Sequence, residues 1–493
     1  METPDIVATP PGSAPRLIAT NTAWRLAAFG GRTVGGVLAT VLVARLRGPS
    51  GLGQYQFALN LTLLLSFLVM LGLPKLLVRD LARAPDLAGA WVDTALFATS
   101  TAGIVFTALV FGIAEGVGAD PVLLPLLVMA GLALTVDAAA RVVMALFWAH
   151  ERMQYEAVTV GVQEGAFVAG TLIALVAGHG VAGVMLAYLL SRMVGMWMAW
   201  FVAARKFDCR VWPRLHPGVL APMLRRMVPF AADDGLSLAY IRLDVVLLGF
   251  FKGVTAVGLY QAATNLVLYL NVLPRMLNMS LYPRMSRAWP HRPDELGRLR
   301  DASLRVVGAV AMPITVGSFL FAPRVFALVY GSGFDRAVLC YRLLVPIIPI
   351  RMLGNTLGTA LTSADRQTRR TVAVGIAAAA NVLLNLFFIP RWSYLGAAGT
   401  TLITETGLFI GYAILLRQAT GPSRVVSALV IPGIACLPMA VAAAVLASAP
   451  LAVAVAASAG AYLVGLFCIA TFMMPVRTLH PRMVMASFLQ GPR

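Results

Sequence analysis

Residues 51–61 read GLGQYQFALNL, and residues 256–266 read AVGLYQAATNL. Six of the eleven positions are identical at a constant offset of 205 residues, and at that offset Arg79 also matches Arg284. Tyrosine, glutamine and asparagine are not the usual filler of apolar helices, so chance similarity between two hydrophobic helices is the weaker explanation. The two stretches therefore indicate an internal repeat, and the size of that repeat decides the fold.

The composition around the repeat is that of a membrane protein. Of the 493 residues, 59% are hydrophobic and 12% are charged, and the mean hydropathy is +0.82. A soluble globular protein carries about 25% charged residues. These values exclude a soluble enzyme, a disordered chain and a secreted disulfide scaffold. The four cysteines share no local motif, so no disulfide framework, metal site or cofactor is predicted.

Fourteen apolar stretches are long enough to cross a bilayer, whose core of about 30 Å needs roughly 20 helical residues. They cover residues 23–44, 54–74, 90–113, 122–148, 157–177, 181–204, 228–251, 256–280, 306–330, 337–361, 371–390, 394–416, 425–447 and 451–474. The repeat falls on the second and the eighth stretch, so its unit is six helices and both copies run in the same direction. The sequence thus predicts an all-α polytopic membrane protein of about 14 transmembrane helices, with two pseudo-symmetric six-helix lobes and an extra C-terminal helix pair.

The charges between the apolar stretches predict the orientation. With the N-terminus in the cytoplasm, the tails and even-numbered loops hold 25 lysines and arginines, whereas the odd-numbered loops hold 5. By the positive-inside rule both termini are cytoplasmic. This topology also explains the net charge of +18, so no nucleic-acid partner is expected. The predicted divisions are a disordered cytoplasmic tail (1–21), an N-lobe (22–204), a basic cytoplasmic linker (205–227), a C-lobe (228–417), helices thirteen and fourteen (418–475) and a cytoplasmic tail (476–493).

Four arginines inside the predicted spans are candidate ligands for an anionic cargo. Arg25 and Arg32 are seven residues apart on one face of the first helix. Arg242 lies near the middle of the seventh helix, and Arg275 follows a proline in the eighth. A guanidinium group binds phosphate oxygens in pairs and stays charged at every physiological pH. The alternatives are ion pairing, such as Arg242 with Asp244 or Asp234, and extension of Arg25 to the membrane surface.

Acidic residues inside the spans are fewer than arginines. Asp137 and Arg141 are spaced i, i+4 on the fourth helix, and this spacing predicts a structural ion pair. Glu164 has no partner near it in the sequence. An unpaired acid within a span is a candidate proton or cation site. Glu164 and Asp244 are therefore the candidate ion-coupling residues.

Several longer stretches, taken in order, resemble one family. These are ARLRGPSGLGQYQFALNL (44–61), GLPKLLVRDLAR (72–83), YIRLDVVLLGFFKGVTAVGLYQAATNL (240–266), ALVYGSGFDRA (327–337) and NVLLNLFFIPRWSYLGAAGTTLITE (381–405). The ordered set is similar to the polysaccharide-type flippases that move lipid-linked O-antigen or exopolysaccharide repeat units. That family belongs to the multidrug/oligosaccharidyl-lipid/polysaccharide exporter superfamily, which also holds the lipid II flippases and the multidrug and toxin extrusion transporters.

The resemblance implies a carrier and not an enzyme. Such a carrier flips a polyprenyl-diphosphate-linked oligosaccharide to the outer leaflet of the cell membrane by alternating access, for cell-surface polysaccharide biosynthesis. It implies arginines at the diphosphate, which fits Arg25, Arg32, Arg242 and Arg275. The implied partners are the lipid-linked glycan, membrane lipids and the polysaccharide polymerase or ligase machinery. The alternative is a cation-coupled drug exporter of the same superfamily. A membrane glycosyltransferase or polymerase is disfavoured, because no predicted external loop is long.

Overall fold

A computed structural model describes residues 14–81, 88–116, 120–207, 211–270 and 272–472. Within these ranges the chain forms α-helices joined by short turns and contains no β-strand. The helices are α1 (Ala14–Leu64), α2 (Phe67–Met70), α3 (Leu73–Leu81), α4 (Ala88–Gly116), α5 (Leu123–Ala149), α6 (Met153–Val176), α7 (Gly180–Lys206), α8 (Pro217–Lys252), α9 (Val254–Tyr269), α10 (Val272–Ala288), α11 (Pro293–Leu320), α12 (Ala322–Val329), α13 (Asp335–Leu344), α14 (Ile347–Ser363), α15 (Gln367–Thr420), α16 (Val425–Val445) and α17 (Leu451–Phe472). The predicted all-α class is confirmed.

Ten helical segments in the described ranges are long and apolar enough to cross a membrane. Two of them, Ala19–Leu64 with 46 residues and Gln367–Thr420 with 54, are more than twice as long as one crossing needs. Each contains a residue with non-helical backbone angles, Gly48 in the first and Ser393 in the second, and therefore joins two helices. The multi-pass architecture is established, whereas the count of about 14 crossings stays a prediction.

Two of the predicted spans lie on helices outside this set of ten. Residues 228–251 fall on α8, and residues 256–280 fall on α9 and α10. The stretch of α8 from 228 to 245 carries four charged residues, and α9 and α10 are only 16 and 17 residues long. These two predicted spans are helical, and they fall outside the set of ten because of the charges in α8 and the short lengths of α9 and α10.

The first helix begins earlier than expected. The sequence analysis predicts a disordered tail over residues 1–21, but α1 starts at Ala14. That prediction is therefore wrong from Ala14 onward, because the helix of the first span begins N-terminal to the apolar run. Residues 1–13 and the predicted tail 476–493 lie outside the described residues.

The repeat found in the sequence has a matching backbone feature. Gly48 has φ 65° and ψ −167°, and Gly253, at the same offset of 205 residues, has φ 79° and ψ 175°. This combination of a positive φ with an extended ψ is almost confined to glycine. In each copy the chain turns at this glycine, and the helix with the Tyr-Gln motif follows. The two copies therefore share a turn as well as a sequence.

A second pair of turns repeats in the same way. Gly180 (φ 66°) precedes the sequence VAG, and Ser393 (φ 54°), 213 residues later, precedes YLG. The helices that follow are α7 and the second part of α15, which are the sixth and twelfth predicted spans. Both pairs of turns are thus separated by six predicted spans.

The chain divides into two compact units, residues 1–246 (unit 1) and 247–493 (unit 2). In unit 1, α1, α5, α6 and α7 pack against one another. In unit 2, α16 packs on α17 and α11, and the Tyr462 hydroxyl donates a hydrogen bond of 2.6 Å to the Ala309 carbonyl oxygen. The boundary between the two units falls within α8, after residue 246. The predicted linker, residues 205–227, lies before that boundary and so belongs to unit 1. The lobe boundaries stay predictions.

Candidate functional site

A cluster of arginines and carboxylates lies between α1, α5, α6 and α7 in unit 1. Arg141 Nε donates a hydrogen bond of 2.7 Å to Asp137 Oδ2, four residues earlier on α5. Arg192 of α7 lies on the other carboxylate oxygen, with 3.6 Å between Nη1 and Asp137 Oδ1. The predicted Asp137–Arg141 pair is confirmed. One carboxylate thus faces two guanidinium groups.

Glu164 of α6 has a partner that its sequence neighbourhood does not reveal. Arg192 Nη2 donates a hydrogen bond of 2.9 Å to Glu164 Oε1, and Gln163 Nε2 donates one of 3.3 Å to the same oxygen. Both side chains of the ion pair are about 95% buried. A Cβ added to Gly35 of α1 would lie 2.7 Å from Glu164 Oε2, so the carboxylate needs a glycine there. Glu164 has no charged partner near it in the sequence, but α7 supplies its counter-charge, so it is not an unpaired acid. Its role in ion coupling stays a prediction.

Arg32 of α1 belongs to the same cluster but is less fully satisfied. It interacts electrostatically with Arg141, Asp137 and Arg192. Unlike Arg141 and Arg192, it forms no ion pair among the described residues. Its Nε is buried and, like the Nε of Arg192, has no hydrogen-bond partner in this part of the chain. A buried polar group without a partner costs about 1–3 kcal/mol, and more when it is charged. Arg32 is therefore the cluster arginine whose charge is least offset by a carboxylate.

Arg25, seven residues before Arg32 on α1, lies beside an aromatic ring. Its guanidinium carbon is 5.7 Å from the centre of the Trp148 ring. Trp148 Nε1 in turn donates a hydrogen bond of 2.7 Å to Glu156 Oε2. Arg25 is exposed, so it is open to a ligand on this side of unit 1.

Arg242 of α8 is held by a chain of polar side chains. Its Nη1 donates a hydrogen bond of 2.6 Å to Asn60 Oδ1. Asn60 Nδ2 donates to the Gln56 carbonyl oxygen at 2.8 Å, and Gln56 Nε2 donates to Thr40 Oγ1 at 3.4 Å. Gln56 and Asn60 are the polar residues of the repeated motif. Arg242 Nε, like that of Arg32, is buried and finds no acceptor in the described part of the chain. We refer to Thr40, Gln56, Asn60 and Arg242 as the polar chain.

The two remaining candidates are less defined. Asp244 interacts electrostatically with Arg242, and its Oδ1 accepts a hydrogen bond of 2.8 Å from the backbone N–H of Val245. Arg275 lies on α10, but its side chain is outside the described residues.

A second set of ion pairs fixes the start of α8 against α3. Lys75 Nζ is 2.6 Å from Asp234 Oδ1, and Asp80 accepts hydrogen bonds from Arg79 at 2.7 Å and Arg226 at 3.3 Å. Partial burial on its own raises the pKa of Asp80, but the two arginines outweigh it and hold that pKa below its usual range. These contacts leave Asp234 paired with a lysine, so it does not neutralise Arg242.

Other intramembrane arginines are satisfied locally in unit 2. Arg351 Nη2 is 2.7 Å from Glu405 Oε1. Arg324 Nη2 donates a hydrogen bond of 2.5 Å to the Ala449 carbonyl oxygen, and Arg342 lies over the Phe319 ring. In the described ranges no group of three or more histidine, cysteine or acidic side chains is placed to hold a metal ion.

Among the candidate site residues, sequence reasoning missed the partners of Glu164 and of Arg242, and only the first of these contacts left a signal. Glu164 and Arg192 are each 14 residues from Gly178, in the turn between α6 and α7. In an antiparallel helix hairpin, residues equally distant from the turn lie opposite each other, so the pair could have been predicted. The contact of Asn60 with Arg242 joins helices that are 182 residues apart in the chain and has no such signal.

The helical architecture and the buried charges define a class of protein. The fold matches the lipid II flippase MurJ in its inward closed conformation, with a TM-score of 0.75 and 12% identity, over 92% of this chain and 98% of that one. It also matches an inward-facing multidrug resistance MATE family transporter of the MOP superfamily, with a TM-score of 0.66 and 14% identity, over 80% and 95% of the two chains. At such identities the likeness is one of fold. The protein is a multi-pass helical membrane protein with the fold of these transporters.

The family follows from the sequence itself. The chain belongs to the polysaccharide biosynthesis protein family, whose profile matches residues 18–289, more than half of its length. A curated relative, the probable flippase AglR of Haloferax volcanii, is 28% identical over 180 residues. That alignment spans 35% of this chain and 37% of the relative, so it covers little more than a third of either protein. The family predicted from the ordered motifs is confirmed.

Proposed function

We propose that the protein flips a polyprenyl-diphosphate-linked oligosaccharide from the cytoplasmic to the outer leaflet by alternating access, for cell-surface polysaccharide biosynthesis. The observation that carries this proposal is the cation at Arg32, which has no ion pair among the described residues and lies in a cluster of buried and partly buried arginines. Family membership and the printed name of the relative, a probable flippase, support the same class of cargo. Both matched solved structures are named as a flippase or a transporter, and neither as an enzyme.

The charge balance of the cluster suits a diphosphate. Asp137 and Glu164 offset Arg141 and Arg192, which leaves the charge of Arg32 without a dedicated carboxylate. A diphosphate offers oxygens on two phosphorus atoms and can accept hydrogen bonds from a guanidinium in pairs. In a low-dielectric site these charge-assisted bonds are strengthened. Arg32 is therefore assigned to the diphosphate.

The other candidate residues take supporting roles in the proposal. Arg25, Arg242 and Arg275 are assigned to the diphosphate and to acidic groups on the sugars. Glu164 and Asp244 are assigned to ion coupling. A proton taken up by Glu164 would remove the counter-charge of Arg192 and leave a further positive charge in the cluster with Arg32. Ion coupling and anion affinity would thereby be linked through one residue.

The cellular context follows from the charge distribution and the family. We place the protein in the cell membrane with both termini in the cytoplasm, as the 25 to 5 partition of basic residues favours. Membrane lipids surround it there. The polymerase or ligase machinery that receives the flipped glycan is the expected protein partner.

A cation-coupled drug exporter is the second candidate, because the fold is shared with a MATE family transporter. Such an exporter needs acidic groups that are free to meet a cationic drug. In the described part of unit 1, Asp137 and Glu164 both pair with arginine. The site therefore favours anionic cargo.

The amount of surface glycan on host cells that carry variants of the protein tests the proposal. Arg32→Ala and Arg242→Ala are each expected to abolish the surface glycan at unchanged protein level, because the diphosphate loses its cationic ligand. Arg152→Ala is the matched control: Arg152 is exposed in the same unit and forms no ion pair among the residues described. The control is expected to leave the glycan intact.

Two outcomes would overturn the assignment. Normal surface glycan in both variants would remove Arg32 and Arg242 from the substrate site. Resistance to a panel of cationic drugs that depends on this protein, with unaltered glycan in a deletion strain, would favour the drug exporter.

A further inference from the structure

Residues 211–212, shortly before α8, are hydrogen-bonded to the body of unit 1. The backbone N–H of Trp212 donates a hydrogen bond of 2.8 Å to Asp93 Oδ1, and Trp200 Nε1 donates one of 3.1 Å to the Val211 carbonyl oxygen. The Trp200 and Trp212 rings meet edge to face with their centres 6.2 Å apart. Trp212 nevertheless remains 55% exposed. A large aromatic ring is thus held outward by a rigid support.

An exposed stripe on α7 leads to the same end of unit 1. Leu190, Met193, Trp197 and Phe201 follow one another at intervals of three or four residues and are all at least 40% exposed. The Trp197 and Phe201 rings stack with centres 5.5 Å apart, and the guanidinium of Arg205 lies 5.4 Å from the Phe201 ring centre. Along this face the side chains change from aliphatic to aromatic and then to cationic. A bilayer changes in the same order, from hydrocarbon through the interface to the headgroups.

Basic side chains gather where the stripe ends. Arg205, Lys206 and Arg214 are exposed, and none forms an ion pair in the part of the chain that the structure describes. Residues 197–228 contain a single acidic residue, Asp208, which lies outside the described residues, against six lysines and arginines. We define the aromatic–basic surface as Trp197, Phe201, Arg205, Lys206, Trp212 and Arg214.

We propose that the aromatic–basic surface binds anionic phospholipids of the surrounding bilayer. The three basic groups would contact the headgroup phosphates, and the rings would lie at the level of the interface. Continuity with the lipid-facing stripe of α7 favours a membrane lipid over a soluble partner. The three unpaired cations favour an anionic headgroup over a zwitterionic one. This inference concerns the lipid around the carrier and does not depend on the cargo.

Quenching of Trp212 fluorescence in vesicles tests this proposal. The chain has eight tryptophans, so the Trp212 signal is taken as the difference between the unchanged protein and Trp212→Phe. Brominated phosphatidylglycerol is expected to quench that signal more strongly than brominated phosphatidylcholine at the same mole fraction. Since each basic residue near a charged surface contributes about 1 kcal/mol, local enrichment of the anionic lipid should reach at least about fivefold.

Charge variants separate a defined surface from general basicity. In the triple variant Arg205→Gln, Lys206→Gln, Arg214→Gln, the two brominated lipids are expected to quench the Trp212 signal equally. The matched control removes Arg284, Arg287 and Arg298, which are exposed basic residues of unit 2, and should keep the preference. Equal quenching of the unchanged protein by both lipids would overturn the proposal. A preference for the anionic lipid that survives in the triple variant would also overturn it, and so would an equal loss of that preference in the control. An unaltered thermal midpoint shows that each variant is folded.

Discussion

The arginines of the charge cluster in unit 1 differ in how far their charge is satisfied. Arg141 and Arg192 each have a carboxylate oxygen within 2.9 Å. Arg32 shares the electrostatic environment of that cluster but forms no ion pair among the described residues, and its buried Nε, like that of Arg192, has no acceptor there. Because an unpaired cation is costly to bury, an anionic ligand at Arg32 would be stabilised. The difference between Arg32 and its neighbours therefore points to a binding role.

Removal of the Glu164 carboxylate should destabilise unit 1. Glu164→Leu leaves Arg192 buried with only the longer contact to Asp137. Loss of one partner of a buried ion pair costs about 3–5 kcal/mol. We expect a clear drop in the thermal unfolding midpoint in detergent. The double variant Glu164→Leu, Arg192→Leu should recover part of the loss, because no unpaired charge remains. An unchanged midpoint in the single variant would show that the ion pair does not stabilise the fold.

The polar chain should position Arg242 for transport. Asn60→Leu removes a hydrogen bond to a charged group, worth about 1.5–3 kcal/mol, and should lower both stability and transport rate. Asn60→Asp keeps the acceptor for Arg242 and adds a negative charge that neutralises it, but loses the donor to the Gln56 carbonyl oxygen. We expect a smaller loss of stability than in Asn60→Leu but strongly reduced transport, measured as thermal midpoint and leaflet exchange. Full transport by Asn60→Asp would contradict a role of Arg242 in binding an anion.

Single residues also show where sequence reasoning ends. The Asp137–Arg141 pair follows from spacing on one helix, and it is confirmed. The partner of Glu164 depends on the register of a helix hairpin, which the position of Gly178 fixes. The partner of Arg242 depends on which helices of unit 1 lie side by side. No local pattern carries that information, so Asn60 could not be predicted.

Among the helices, turns at equivalent places define the repeat better than the helices themselves. Gly48 and Gly253 share a backbone conformation that other residues adopt at a cost of about 1–3 kcal/mol. Thr40 and Gln56, each eight residues from Gly48, are hydrogen-bonded across the turn. The turn thus sets which polar residues of the two halves of α1 meet.

Substitution of the second turn glycine should destabilise the protein. Gly253→Ala places a Cβ on a residue with φ 79° and should lower the thermal midpoint by an amount that corresponds to about 1–3 kcal/mol. Gly375→Ala is the control, because a Cβ there meets nothing within 4 Å and the residue has a helical backbone. The control should be neutral or slightly stabilising. Equal midpoints for the two variants would contradict the requirement for glycine at residue 253.

Most helices could be predicted from apolar runs, because the thickness of a bilayer sets their length. Predicted spans 90–113 and 122–148 correspond closely to α4 (Ala88–Gly116) and α5 (Leu123–Ala149). The prediction fails at the start of α1, where a helix continues beyond the apolar run. It is least specific at α8, where charged residues interrupt the run. In both places polar residues adopt helical structure for reasons that hydropathy does not measure.

At the scale of the whole molecule, the family and the charge cluster address different questions. The family match over residues 18–289 and the shared fold establish a multi-pass member of the polysaccharide biosynthesis protein family. The cluster in unit 1 argues for the chemistry of the cargo, since Arg32 is a cation without an ion pair among the described residues. The central claim is therefore that Arg32 receives the diphosphate of a lipid-linked glycan during transport.

Leaflet exchange of a fluorescent polyprenyl-diphosphate oligosaccharide in proteoliposomes tests that claim most directly. The unchanged protein and Arg152→Ala are expected to move the lipid, with a proton or sodium gradient applied where needed. Arg32→Ala is expected to lose at least about 90% of the rate, since one charge-assisted contact of more than about 1.4 kcal/mol corresponds to a tenfold effect. Equal rates for Arg32→Ala and the unchanged protein would contradict the account.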